Sequence, residues 1–146
     1  MSRSDSILLV DGDHVVRRRC RELLESAGYM VFESPGATHA RMFLRTITPA
    51  AVLIESDLPD GQGAEVVRFV KRELSRGELP VVLMSASDGA PDAADLANGV
   101  LHKPFSPEQL VAAVRSACGT SLSSSQGQPR FKSCPRNQIR SGPIGT

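Results

Sequence analysis

Tryptophan is absent, tyrosine occurs once, and aromatic residues make up 4% of the 146-residue chain. Any core must therefore be mainly aliphatic, and the aromatic platforms on which single-stranded nucleic acids stack are scarce. Cysteine is sparse as well: Cys20, Cys118 and Cys134 are an odd number with no close pair. That argues against a disulfide framework and against a zinc site. Long hydrophobic runs are also missing. The first, Ile7-Leu-Leu-Val10, follows a polar start and is too short for a signal peptide or a membrane span. A cytoplasmic protein of bacterial type is expected.

Neither sign of charge is in large excess, since 17 basic and 16 acidic side chains leave a net +1. The distribution is uneven. Residues 119–146 carry Arg130, Lys132, Arg136 and Arg140 with no acid, which leaves 13 basic and 16 acidic side chains in residues 1–118. A globular part over 1–118, mildly acidic, and a basic Ser/Gly/Pro-rich tail over 119–146, disordered and without a further domain, are the expected organisation. Four scattered cations with a single aromatic, Phe131, are expected to form a solvated extension and not a nucleic-acid or membrane surface.

What is present is an alternation of short apolar runs with helical periodicity. Strands are expected at Ile7–Val10, Met30–Glu33, Ala51–Glu55, Val81–Ser85 and Val100–His102. The first helix places Val16, Cys20, Leu23, Leu24 and Ala27 on one face, with Gly28 to end it. A second carries Ala37, Ala40, Phe43, Leu44 and Ile47 before Pro49, and a third Val66, Val67, Val70 and Leu74. Between Ser87 and Gly99 there is one large apolar residue and an early Gly and Pro, so a fourth helix is expected to be short and marginal. The fifth opens with Ser106-Pro-Glu-Gln109, a capping box with proline at the first helical position. Strands this uniformly apolar are buried on both faces, so the fold is α/β: a doubly wound, five-stranded parallel sheet with helices on both sides. Ligands in such folds sit at the carboxyl ends of the strands. Asp11, Asp13, Glu55, Ser85 and Lys103 all fall there.

An acid, a hydroxyl and an ammonium at successive strand ends are the parts of a site that holds a phosphoryl group on a carboxylate. The stretches Ile7-Leu-Leu-Val-Asp11, Pro49-Ala-Ala-Val-Leu-Ile-Glu55, Leu58-Pro59-Asp60-Gly61-Gln62-Gly63, Pro80-Val-Val-Leu-Met-Ser-Ala86 and Lys103-Pro104-Phe105, in this order and spacing, resemble the receiver domain of two-component response regulators. The resemblance covers about residues 5–118 and implies a flavodoxin-like strand order 2-1-3-4-5. It also implies magnesium-dependent self-phosphorylation from a histidine kinase or a small phosphodonor. By position, residue 55 is the phospho-acceptor, Lys103 holds a phosphoryl oxygen, Ser85 reports it, and Val100 stands where the family's switch aromatic usually sits. The partner surface implied is the side of the fourth helix, fifth strand and fifth helix, or one drifted from it.

Two positions depart from the family pattern. The acceptor is Glu55 instead of aspartate, which moves the carboxylate out by one bond, roughly 1.5 Å. Misplacement by about 1 Å in a positioned reaction costs on the order of a hundredfold. The second acid of the family's pair, a direct magnesium ligand, is Gly12. Asp11 and Asp13 remain, and Asp57 carries a carboxylate where the family uses a backbone carbonyl. A weak or lost metal site follows, with no cofactor required. The expectation is a stand-alone pseudo-receiver without full catalytic activity, acting by protein–protein interaction, in which Glu55 pairs with Lys103. The alternatives are a residual phospho-acceptor at Glu55 or Asp57, and an enzyme. Val10-Asp11-Gly12-Asp13 is similar to the first motif of haloacid-dehalogenase-type phosphatases, with Ser85 and Lys103 available, although only Glu108 follows the lysine where that family needs an acidic pair.

Overall fold

The computed structural model describes residues 6–123. Five strands form one sheet: β1 (Ser6–Val10), β2 (Met30–Ser34), β3 (Ala51–Glu55), β6 (Val81–Ser85) and β7 (Gly99–His102), in the order β2-β1-β3-β6-β7 with every pairing parallel. Among these five the order is second, first, third, fourth, fifth, as the resemblance implies. Between β3 and α3 (Gly63–Arg68) lies a two-stranded antiparallel hairpin, β4 (Asp57–Leu58) and β5 (Gly61–Gln62), which the periodicity did not announce.

Alternation along the strands divides the core. Leu8, Val10, Val52, Ile54, Val81 and Leu83 face the layer of α2 (Ala37–Thr46) and α3 (Gly63–Arg68), and α3 continues as a π-helical turn over Phe69–Glu73. Ile7, Leu9, Leu53, Val82 and Met84 face α1 (His14–Ser26) and α4 (Pro107–Ser123), meeting Cys20, Leu24, Leu110, Val114 and Ala117. Each Leu, Ile or Val so buried contributes about 1.5–3 kcal/mol. Continuous apolar strands are thus explained by two buried faces. No helix among the described residues is long and apolar enough to cross a membrane.

Helix ends follow local chemistry. Asp13 caps α1, its Oδ1 accepting from the backbone N–H of Val15 at 2.9 Å and of Val16 at 3.3 Å. The capping box of α4 forms in full, with Gln109 N–H donating to Ser106 Oγ at 3.0 Å and Ser106 N–H donating to Gln109 Oε1 at 2.8 Å.

Four expectations need correction. No fourth helix forms: residues 92–96 are turns, Gly89 and Ala93 have φ of +84° and +67°, and a helix cannot pass through left-handed backbone. Buried Ala93 and half-buried Leu96 cover that part of the sheet instead. Ile47 lies outside α2, in extended backbone and 42% exposed. Leu74 terminates the π-helical turn instead of extending α3. The boundary placed at residue 118 falls inside α4, which runs to Ser123, since a single Gly119 costs only about 1 kcal/mol relative to alanine and does not stop a helix. The rest of the expected tail, including Arg130, Lys132, Arg136 and Arg140, lies outside the described residues.

Candidate functional site: a lysine between two carboxylates

Three strand ends and the lysine after β7 converge. Asp11 follows β1 with its side chain fully buried, Glu55 ends β3 half-buried, Ser85 ends β6 buried, and Lys103 comes directly after β7. Lys103 Nζ donates to Asp11 Oδ2 at 3.1 Å and lies 3.3 Å from Glu55 Oε2, with 20% of its side chain exposed. One ammonium therefore serves both carboxylates. The Lys103 backbone N–H donates to Ser85 O at 2.7 Å, and the Lys103–Pro104 peptide is cis.

The electrostatics follow from two acids sharing one cation in a partly dry pocket. Burial, then the hydrogen-bonding and charge of the neighbouring Asp11, push the Glu55 carboxyl above its ordinary pKa, and Lys103 offsets this only in part. For Lys103, burial pulls the ammonium down, but Asp11 and Glu55 together outweigh it and the pKa is raised. Ser85 does not engage Glu55 in the described hydrogen bonds; its Oγ donates to Ser87 O at 3.5 Å and accepts from Ser87 N–H at 3.2 Å. Val100 is half-buried on β7 against the α2–α3 side of the core.

The residues that would hold a divalent cation do not fit one as arranged. Asp11 Oδ1 accepts from Asp13 N–H at 2.9 Å and Oδ2 is held by Lys103. Asp13 Oδ1 is the helix cap already described. Asp57 is exposed on the hairpin, where the Gln62 amide, oriented to satisfy its partners, donates to Asp57 Oδ1 and Ser56 O, both at 3.2 Å. At Gly12, a Cβ would stand 2.6 Å from Pro59 Cδ and 2.7 Å from Pro59 Cγ. A carboxylate attacking a phosphoryl group needs positive charge on the incoming oxygens, and here the single ammonium is already engaged by two anions. Of the residues the phosphatase alternative would use, Asp13 caps α1 through Oδ1 and Glu108 lies in the first turn of α4.

Several supporting residues were not apparent from sequence. Arg17 donates to Asp11 O at 2.6 Å and pairs with Glu33 at 2.9 Å, and Arg21 reaches Glu33 at 2.6 Å. The Arg21 hydrogen bond, ahead of the opposing effect of burial and the help of Arg17, lowers the Glu33 carboxyl. Ser34, fully buried, lies 2.9 Å from His39 Nδ1 and donates to Gly36 O at 3.1 Å. Asp60 caps α2 from 23 residues away, accepting from Ala37 N–H at 2.7 Å and Thr38 N–H at 3.0 Å. Only Arg17 carried a signal, as a polar residue one turn after the Asp13 cap; the partners of the others come from different elements.

Residues 7–115 match the model of the response regulator receiver domain. The chain is 29% identical over 115 residues to the phosphate regulon transcriptional regulatory protein PhoB of Pseudomonas aeruginosa, covering 76% of this chain and 50% of that protein. It is 31% identical over 116 residues to the KDP operon transcriptional regulatory protein KdpE of Escherichia coli, covering 77% of this chain and 50% of that one. The chain thus spans about half the length of these curated relatives. Among solved structures, a CheY-like receiver domain protein from Methanospirillum hungatei superposes with a TM-score of 0.76 at 18% identity, over 82% of this chain and 98% of that one. A putative response regulator from Chloroflexus aurantiacus gives 0.72 at 26% identity, over 79% and 98%. With the sheet order and the family match in agreement, the chain belongs to the response regulator receiver domain family.

Proposed function

We propose that this chain is a receiver-type signalling module that works by protein–protein interaction with little or no phosphorylation, its state fixed by the Glu55–Lys103–Asp11 cluster. The observation that carries this reading is Lys103 Nζ, 3.1 Å from Asp11 and 3.3 Å from Glu55. The ammonium that a phosphoryl group would need is neutralised by the acceptor position itself. Glu55 supplies a carboxylate there, and no kinase is required to create its charge.

The partners are signalling proteins of the same pathway class, a histidine kinase or a downstream effector. They are met on the side of β7 and α4, where turns replace the expected fourth helix and Val100 stands in place of an aromatic. Such a module is cytoplasmic, takes no obligatory cofactor and binds magnesium weakly if at all. Incubation with acetyl phosphate and magnesium, followed by intact-mass and peptide mass spectrometry, tests the reading. The expected result is no stoichiometric adduct, with amide NMR spectra unchanged by beryllofluoride. A magnesium-dependent adduct on Glu55 or Asp57 would establish a phospho-acceptor in its place.

A further inference from the structure

We propose that the β4–β5 hairpin is a plug that closes the divalent-cation place, so that restoring the acidic side chains alone does not restore metal binding. This deepens the fixed-state reading above and rests on it. The family pattern contains both an acid at position 12 and the proline at position 59. In this chain Pro59 fills the volume beside Gly12, with Cδ and Cγ at 2.6 and 2.7 Å from where a Cβ would be. Contacts that short do not occur between real atoms of this kind, and a proline ring has little freedom to yield. Any side chain at position 12 must push the hairpin outward.

The hairpin is tied down. Asp60, next to Pro59, accepts from Ala37 N–H at 2.7 Å and Thr38 N–H at 3.0 Å, fastening the tip to the start of α2. The close approach uses the bareness of Gly36, where a Cβ would lie 2.6 Å from Asp60 Oδ1. At the hairpin base, Gly63 N–H donates to Ser56 O at 2.8 Å, and Asp57 and Leu58 pair with Gln62 and Gly61. Pro59 is thus clamped over Gly12 from both ends, while Lys103 supplies the positive charge that Asp11 would otherwise take from a metal ion.

Two measurements test this. The first is a manganese(II) titration followed by water-proton relaxation, on the wild type, on Gly12→Asp/Glu55→Asp, and on that pair combined with Pro59→Ala. The wild type and the pair are expected to show no saturable site at low millimolar metal, and the triple variant to bind at least about tenfold more tightly than the pair. Saturable wild-type binding that broadens the amides of residues 11–13, or equal affinity of pair and triple, overturns the plug. The second is a double-mutant cycle on Gly12→Ala and Pro59→Ala by urea unfolding, which holds even where the acidic variants do not fold. Gly12→Ala is expected to lower the unfolding midpoint with Pro59 present and to be tolerated in the Pro59→Ala background; a midpoint unchanged by Gly12→Ala alone overturns the inference. Metal binding without any phosphoryl adduct would remove the plug and leave the fixed-state reading intact, whereas a labelled Glu55 removes that reading whatever the metal does.

Discussion

Lys103 and Glu55 contribute to the site in opposite energetic senses. Asp11 is fully buried, so removing the ammonium beside it leaves a carboxylate with neither water nor a counter-charge. Lys103→Met is expected to cost about 3 kcal/mol, the usual penalty for breaking one side of a buried pair, readable as a lowered urea midpoint. Glu55 behaves differently because burial and Asp11 raise its pKa. The folded state then keeps the Glu55 proton to higher pH than the unfolded chain, whose glutamate titrates near about 4.3. As pH rises from there through the folded-state value, this group withdraws stability. Glu55→Gln is therefore expected to flatten that slope and to be at least as stable as the wild type at pH 7. Urea midpoints across pH 4–8 check this; a glutamine variant weaker at pH 7 would mean that the Lys103 contact outweighs the repulsion. A contact can fix a conformation without adding stability.

At the level of whole elements, the cap that Asp60 lends to α2 joins a loop to a helix that has no capping side chain of its own. Its two backbone hydrogen bonds, that from Thr38 first, hold the Asp60 carboxyl down at about 2. The unfolded value is about 3.9. The folded pKa is depressed, so its stabilisation is present above about pH 3.9 and is lost as pH falls towards 2. Asp60→Ala is expected to lower the melting temperature at pH 7 and to converge with the wild type as pH falls to about 2, as followed by circular dichroism. The absent fourth helix belongs here too. Gly89 and Pro91 in the sequence marked that unit as weak, but turning it into turns required left-handed backbone at Ala93, whose methyl is buried in the core. No propensity argument anticipates an alanine in that conformation. By contrast, α4 met its expectation to the residue at its start, because a capping box is a local device made of its own four residues.

For the molecule as a unit, both core clusters are built on the same five strands, so loosening one face loosens the sheet the other needs. Leu53→Ala, on the α1–α4 side, is expected to cost about 2–5 kcal/mol and to leave a single cooperative urea transition for both faces. A second transition would show that the layers melt apart. Strand positions, the parallel order, the α/β class and the convergence of Asp11, Glu55, Ser85 and Lys103 were legible in advance. They depend on alternation, periodicity and the rule that strand ends gather on one edge, and each of these is written in neighbouring residues. The Glu55–Lys103 pair was expected and forms at 3.3 Å, but most of the contacts around it were not legible. Pro59 beside Gly12, Asp60 on the start of α2, and the reach of the Lys103 ammonium to Asp11 all bring together residues between 23 and 92 positions apart. Distances of about 3 Å between such groups are set by how the layers pack, and linear order carries no record of them.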